Sequence, residues 1–213
     1  MGYQVHVYAS TAGIALFLAD YGRAFSDHGA IVLAQKALEW VESNENGAVW
    51  SEVEQNPFGL GLATERLGVA LAWLRLSQSS ANQQALEKAV DHATPLLTSD
   101  PPTKSGLLIG TAGCGILLLR LWEETGDDRY LERAREWAAH ILASQWDRHD
   151  RLGMGIGFAG IGHFWLAFHE VTKKEAWIDL LHRTAAKLIE HAEPDRGHLN
   201  WRRILEEPEI TRC

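Results

Sequence analysis

Four windows of the chain carry one hydrophobic pattern: "YASTAGIALFLADYGRAFSDHGAIVLAQKALEWV", "ATERLGVALAWLRLSQSSANQQALEKAVDHATPLL", "LIGTAGCGILLLRLWEETGDDRYLERAREWAAHIL" and "GIGFAGIGHFWLAFHEVTKKEAWIDLLHRTAAKLI". Each opens on a glycine among small residues. These anchors are Gly13, Gly68, Gly113 and Gly160, spaced 55, 45 and 47 residues apart. A period of this length, met four times, marks a helical-repeat architecture.

Each window predicts two helices. The first starts at the glycine and is apolar on most faces: Ile14, Leu16, Phe17 and Leu18, then Ile116 to Leu119, then Phe164 to Phe168. A helix apolar all round is expected to be buried on all sides. The second is amphipathic. Tyr130, Ala134, Trp137 and Ile141 follow helical spacing, with Glu132, Arg133, Arg135 and Glu136 between them. Trp177, Leu180, Leu181, Thr184 and Leu188 repeat this in the fourth window.

The turn inside each pair carries stop and start chemistry. Gly126 suits the left-handed conformation that ends a helix, and Asp127 or Asp128 suits the cap of the next. Ser26 or Asp27 and Ser80 or Asn82 take the same part in the first two windows. Buried first helices and half-exposed second helices imply two layers. The expected fold is all-α: an α/α toroid, or part of one, of about four helical hairpins in a single domain over residues 1–213. An open α-solenoid is the other curvature.

The small residues Gly110, Thr111, Ala112 and Gly113 leave two readings. They permit close approach of neighbouring inner helices. The helix N-termini can also point into a shared cavity and accept polar or anionic ligand groups, and both readings can hold together. A phosphate loop is excluded, because "GLLIGTAG" lacks the Gly-Lys-Ser/Thr ending.

Apolar residues make up 46 % of the 213, so a real core can form. A net charge of −8, with basic and acidic residues interleaved as in "RYLERAREW", argues against a nucleic-acid partner. Two cysteines, Cys114 and Cys213, make no disulfide framework. "MGYQVHVYAS" is not a secretory leader, and the apolar runs are too short for a transmembrane segment. These features predict a cytoplasmic protein.

The repeats resemble those of the lanthionine synthetase C-like family. "GTAGCGILLLRLWEETGDDRYLERA" and "YASTAGIALFLADYGRAF" carry the resemblance most closely, "GIGFAGIGHFWLAFHEVTKKEAW" less so, and "TERLGVALAWLRL" least. It covers residues 8–191. The resemblance implies a toroid around a central cavity. It also implies, for active members, zinc-assisted addition of a peptide cysteine to a dehydrated residue, closing a thioether ring in lanthipeptide biosynthesis. Zinc is the cofactor of complete members. A peptide substrate or partner protein is the implied partner.

The departures bear on that chemistry. The Trp-Cys-x-Gly and Cys-His-Gly motifs of active members are absent from this chain. Ile109 in "LIGTAG" and Ile156 in "GIGFAG" stand where family ligands or the assisting His would stand, and Gly106 stands where an acid would. No catalytic residue and no metal ligand is carried over. The expected cofactor on this chain is none. Four hairpins against the family's seven imply a ring completed by a second half or a second copy, and the chain ends about where the next family repeat would open. The expected role is scaffold or peptide binding.

Candidate cavity-lining residues are Cys114, His163, Ile109 and Ile156. A core position is the plainer expectation for Cys114 and for His163. The other histidines, including His140, His149, His169, His182, His191 and His198, give no zinc pattern. Two other function classes remain. One is a non-catalytic helical-repeat module that binds a peptide or protein. The other is a carbohydrate-active α/α toroid, which needs an acid pair and sugar platforms such as Trp50, Trp73 and Trp165.

Overall fold

The structure is a computed structural model, and it describes residues 11–44, 60–62, 65–144, 146 and 151–201. Eight α-helices lie among these residues. They pair as α1 (Thr11–Phe25) with α2 (His28–Asn44), α3 (Glu65–Ser80) with α4 (Gln83–Ala93), α5 (Thr111–Thr125) with α6 (Asp128–Ala143), and α7 (Phe158–Thr172) with α8 (Ala176–Glu190). A short 3-10 turn, Thr94–Leu97, follows α4. A hairpin of β1 (Glu193–Asp195) and β2 (His198–Asn200) follows α8 and turns at Arg196 and Gly197, both at positive φ.

The first helices of the pairs form the inner layer. α1 packs on α3, α3 touches α5, and α5 packs on α7. The second helices lie outside, each showing solvent its charged face. The core runs between the layers, from Ala12 and Leu38 through Trp73, Leu118 and Trp137 to Trp165 and Phe168. Expectation and structure differ on α1: Ile14 and Phe17, expected inside, are exposed. Leu166 of α7 is exposed as well. These two helices are the ends of the inner row, so each lacks one inner neighbour among the described residues.

The turn inside each pair has one geometry in all four repeats. The residue thirteen places after the anchor glycine is left-handed: Ser26 at φ 55°, Ala81 at 49°, Gly126 at 68° and Lys173 at 54°. Only one of the four is glycine. The next helix is then capped by a side chain. Asp27 Oδ1 accepts from the Ala30 amide, Asn82 Oδ1 from Ala85, and Asp127 Oδ1 from Arg129. The fourth repeat has no side-chain cap: Glu175 occupies the position in helical conformation.

Candidate functional site

Helices α5 and α7 begin at loops that rise from the outer layer, and with Leu60 these loops form a connected mouth. The Gly110 amide donates to the Leu60 carbonyl at 2.8 Å, and the Leu108 amide donates to the Gly155 carbonyl at 2.8 Å. Each loop also folds back over its own helix. In α5, the amides of Thr111, Ala112 and Gly113 donate to the carbonyls of Lys104, Ser105 and Gly106. In α7, the amides of Phe158 and Ala159 donate to the carbonyls of Arg151 and Leu152.

This arrangement bears on both readings of the small residues. The first-turn N–H groups of α5, and those of Phe158 and Ala159 in α7, are spent on loop carbonyls, so they are not offered to a ligand. Gly113 and Gly160 serve close approach to the loop backbone, not to a neighbouring inner helix. A Cβ on Gly113 would fall 1.8 Å from the Leu107 carbonyl oxygen, and one on Gly160 would fall 2.2 Å from that of Met154. The alternative of anion-accepting helix ends is therefore corrected for these two helices.

The candidate residues do not converge. Ile109 and Ile156 are half-buried in adjacent mouth loops, and Gly106 comes so close to Ile156 that a Cβ would meet its Cα at 2.3 Å. Cys114 is fully buried in the first turn of α5, and desolvation pushes its thiol far above the usual range. It is a core residue and not a nucleophile. His163 is exposed on α7, which corrects its reading as a core residue.

Ile156 alone of the four lines a cleft at the mouth. This cleft has a volume of about 790 Å³ and is walled by Arg151, Leu152, Gly153, Gly155, Ile156, Ala159, Leu188 and Trp201. Its wall is mostly hydrocarbon. The Trp201 indole N–H donates to the Leu188 carbonyl at 2.6 Å, which fastens the ring to the last turn of α8. Leu188 and Trp201 were not legible as site residues. Leu188 reads as an ordinary apolar-face position, and Trp201 stands outside the periodic pattern.

The described residues at the mouth do not fit a zinc ion. Ile109 and Ile156 offer methyl groups and Gly106 offers nothing, where N, S or O donors are needed. The Cys114 thiol is enclosed and held protonated. Among the described residues, no three His, Cys, Asp or Glu side chains converge on a point that would hold a metal. Cys213 and His149 lie outside the described residues.

The sugar-platform expectation is corrected too. Trp73 and Trp165 are buried in the core. Trp165 stacks on Phe164 and on Trp177, and Lys88 lies over Trp73. Trp50 lies outside the described residues. The described wall of the cleft holds no carboxylate. No helix among the described residues is long and apolar enough to cross a membrane.

Comparison with known proteins places this geometry. Among solved structures, the chain is similar to cellobiose 2-epimerase from Bacillus thermoamylovorans B4167, with TM-score 0.66 and 13 % identity, covering 93 % of this chain and 63 % of that one. It is also similar to the GH76 α-mannanase BT2949 of Bacteroides thetaiotaomicron, with TM-score 0.62 and 17 % identity, covering 95 % of this chain and 62 % of that one. At such identities the likeness shows the fold, an α/α toroid. The chain spans less than two thirds of the length of either protein. No curated protein sequence matches significantly. The sequence matches the lanthionine synthetase C-like protein family over residues 3–212, and the chain belongs to that family.

Proposed function

We propose that this chain serves peptide modification of the lanthionine type as a peptide-binding part, and that it does not itself activate a thiol through a metal. The observation that carries the reading is the apolar cleft at the mouth of α7, with Ile156 in a slot where active relatives place a metal-site residue. A cleft of this size, walled by Leu152, Ile156, Leu188 and Trp201, suits two or three apolar side chains of an extended peptide. Arg151 at its wall favours a carboxylate-bearing or backbone-carbonyl neighbour on that peptide. The thioether closure itself would fall to a metal site supplied elsewhere. A reducing, cytoplasmic setting belongs to the same proposal, because the substrate cysteine must stay a free thiol.

The test is fluorescence anisotropy with a labelled peptide of about twenty residues that carries cysteine, dehydroalanine and two phenylalanines. Binding is expected in the presence of a zinc chelator, and Ile156→Asp is expected to weaken it about tenfold or more. Binding that needs added zinc, or that ignores Ile156→Asp, overturns the reading. The lack of a carboxylate in the cleft's described wall weighs against the carbohydrate-active alternative.

A further inference from the structure

The loops in front of α5 and α7 match place by place, counted back from their anchor glycines, Gly113 and Gly160. Two places before the anchor, the amides of Thr111 and Phe158 donate to the carbonyls of Lys104 and Arg151, each nine places before it. One place before, those of Ala112 and Ala159 donate to Ser105 and Leu152. The glycines three places before meet the same carbonyls. A Cβ on Gly110 would fall 2.4 Å from the Lys104 oxygen, and one on Gly157 would fall 2.3 Å from the Arg151 oxygen. The backbone of one loop is thus a template for the other.

Two places in this template are used differently. Five places before its anchor, the Leu108 amide donates to the Gly155 carbonyl at 2.8 Å. Seven places before it, Gly106 lies against Ile156, where a Cβ would fall 2.3 Å from the Ile156 Cα. The loop before α5 is therefore a seat with an amide donor and a glycine floor. A stretch of main chain fills it: Gly155 supplies the carbonyl and Ile156 the close approach. In the loop before α7 the same two places are Gly155 and Gly153, and both line the apolar cleft. The Gly155 amide makes no backbone hydrogen bond among the described residues, and a Cβ on Gly153 would meet nothing within 4 Å. The φ of Gly153 is not positive, so neither conformation nor packing within the chain demands a glycine there.

We propose that the cleft holds its peptide by the main chain, as the seat before α5 holds Gly155 and Ile156. The Gly155 N–H donates to a peptide carbonyl, and the next residue of the peptide crosses Gly153 with its Cα against the glycine. The inference rests on the peptide-binding reading above and adds its register. The occupant is a peptide because the filled seat holds a peptide segment through the same two contacts. The side chain it takes follows as well. In the filled seat Leu108 favours glycine at the carbonyl-bearing place, since a Cβ on Gly155 would come 3.3 Å from the Leu108 side chain. In the cleft Gly155 stands at the place of Leu108, which lifts that limit. The carbonyl-bearing residue there has room for a large apolar side chain against Leu152, Ile156 and Leu188. The main-chain bond then contributes affinity and the apolar wall selects the side chain.

The experiment compares the full chain with Gly153→Val, using the labelled cysteine and dehydroalanine peptide with two phenylalanines. The substitution is expected to weaken binding about tenfold or more, because its side chain takes the space of the peptide backbone. Its urea midpoint is expected to hold, whereas Gly106→Val, where Ile156 already fills the space, lowers the midpoint. A second readout needs no variant. In the isotope-labelled wild type, deuterium exchange at the Gly155 amide is expected to slow about tenfold or more at saturating peptide. Gly153→Val that binds as tightly as the wild type overturns the proposal, and so does a Gly155 amide that exchanges unchanged in the complex. In both cases peptide still binds, so the peptide-binding reading survives the loss of this register. A wild-type chain that binds no peptide overturns both.

Discussion

The Leu108 amide donates to the carbonyl of Gly155, two loops meeting at 2.8 Å in front of α5 and α7. This bond joins the mouth of the third repeat to that of the fourth, as the bond from Gly110 to Leu60 joins the second to the third. The mouth is thus backbone pinned to backbone, with little space for side chains at the anchors.

The pinning makes the anchor glycines intolerant of a single methyl group. Gly113→Ala and Gly160→Ala drive a Cβ into the Leu107 and Met154 carbonyl oxygens. Each is expected to lower stability by about 1–3 kcal/mol, read as a shift in the urea midpoint. Ala at Gly153, which has open space around it, is the matched control.

The shared left-handed turn predicts gains where it lacks glycine. Ala81 sits at φ 49°, a conformation that strains any residue with a Cβ. Ala81→Gly relieves that strain and adds unfolded-state entropy, for a net gain of up to about 1 kcal/mol. The same change at Gly126 in reverse, Gly126→Ala, is expected to destabilise. Thermal melts of the two variants check the pair.

Caps behave as local, additive contributions. Asp127→Ala removes the acceptor for the Arg129 amide at the start of α6, and Asn82→Ala removes that for Ala85 at the start of α4. Each is expected to cost on the order of 1 kcal/mol, and the double variant close to the sum. For Asp127 the effect fades in acid, because its hydrogen bonds to the Arg129 side chain and amide hold the carboxyl below the usual range.

His92 links α4 to α2. Its imidazole lies 3.4 Å from Glu42, which Lys88 also contacts, and burial lowers its pKa below 6.5 against the opposing pull of Glu42. Above 6.5 the ring is neutral in both folded and unfolded chains. As pH falls through 6.5 the unfolded chain takes the proton first, so stability falls until the folded pKa is reached. Urea midpoints at about pH 7.5 and about pH 5.5 are expected to differ less in His92→Gln than in the wild type.

Much of this architecture was legible because the repeat is written twice over, in glycine spacing and in helix periodicity. The hairpin turns were legible at Gly126, Asp127, Asp27 and Asn82. Ala81 and Lys173 gave no signal, since a left-handed turn fixed by tertiary packing need not use glycine. The cleft was half legible. Ile156 stood out by its place in the motif, but Leu188 and Trp201 come to it only through the fold of α8 and the β hairpin. His163 and Phe17 misled for one reason: a residue on an apolar helix is buried only if a neighbour covers its face, and the sequence of one helix does not name the neighbour.

The most direct test of the central claim is the fate of a peptide thiol. A peptide carrying one cysteine and one dehydroalanine is incubated with this chain and zinc, then alkylated at thiols and weighed by mass spectrometry. The account predicts full alkylation, because Ile109, Ile156 and Gly106 supply no donors for the metal and the Cys114 thiol is sealed in the core. A peptide that escapes alkylation through a closed thioether ring would contradict it.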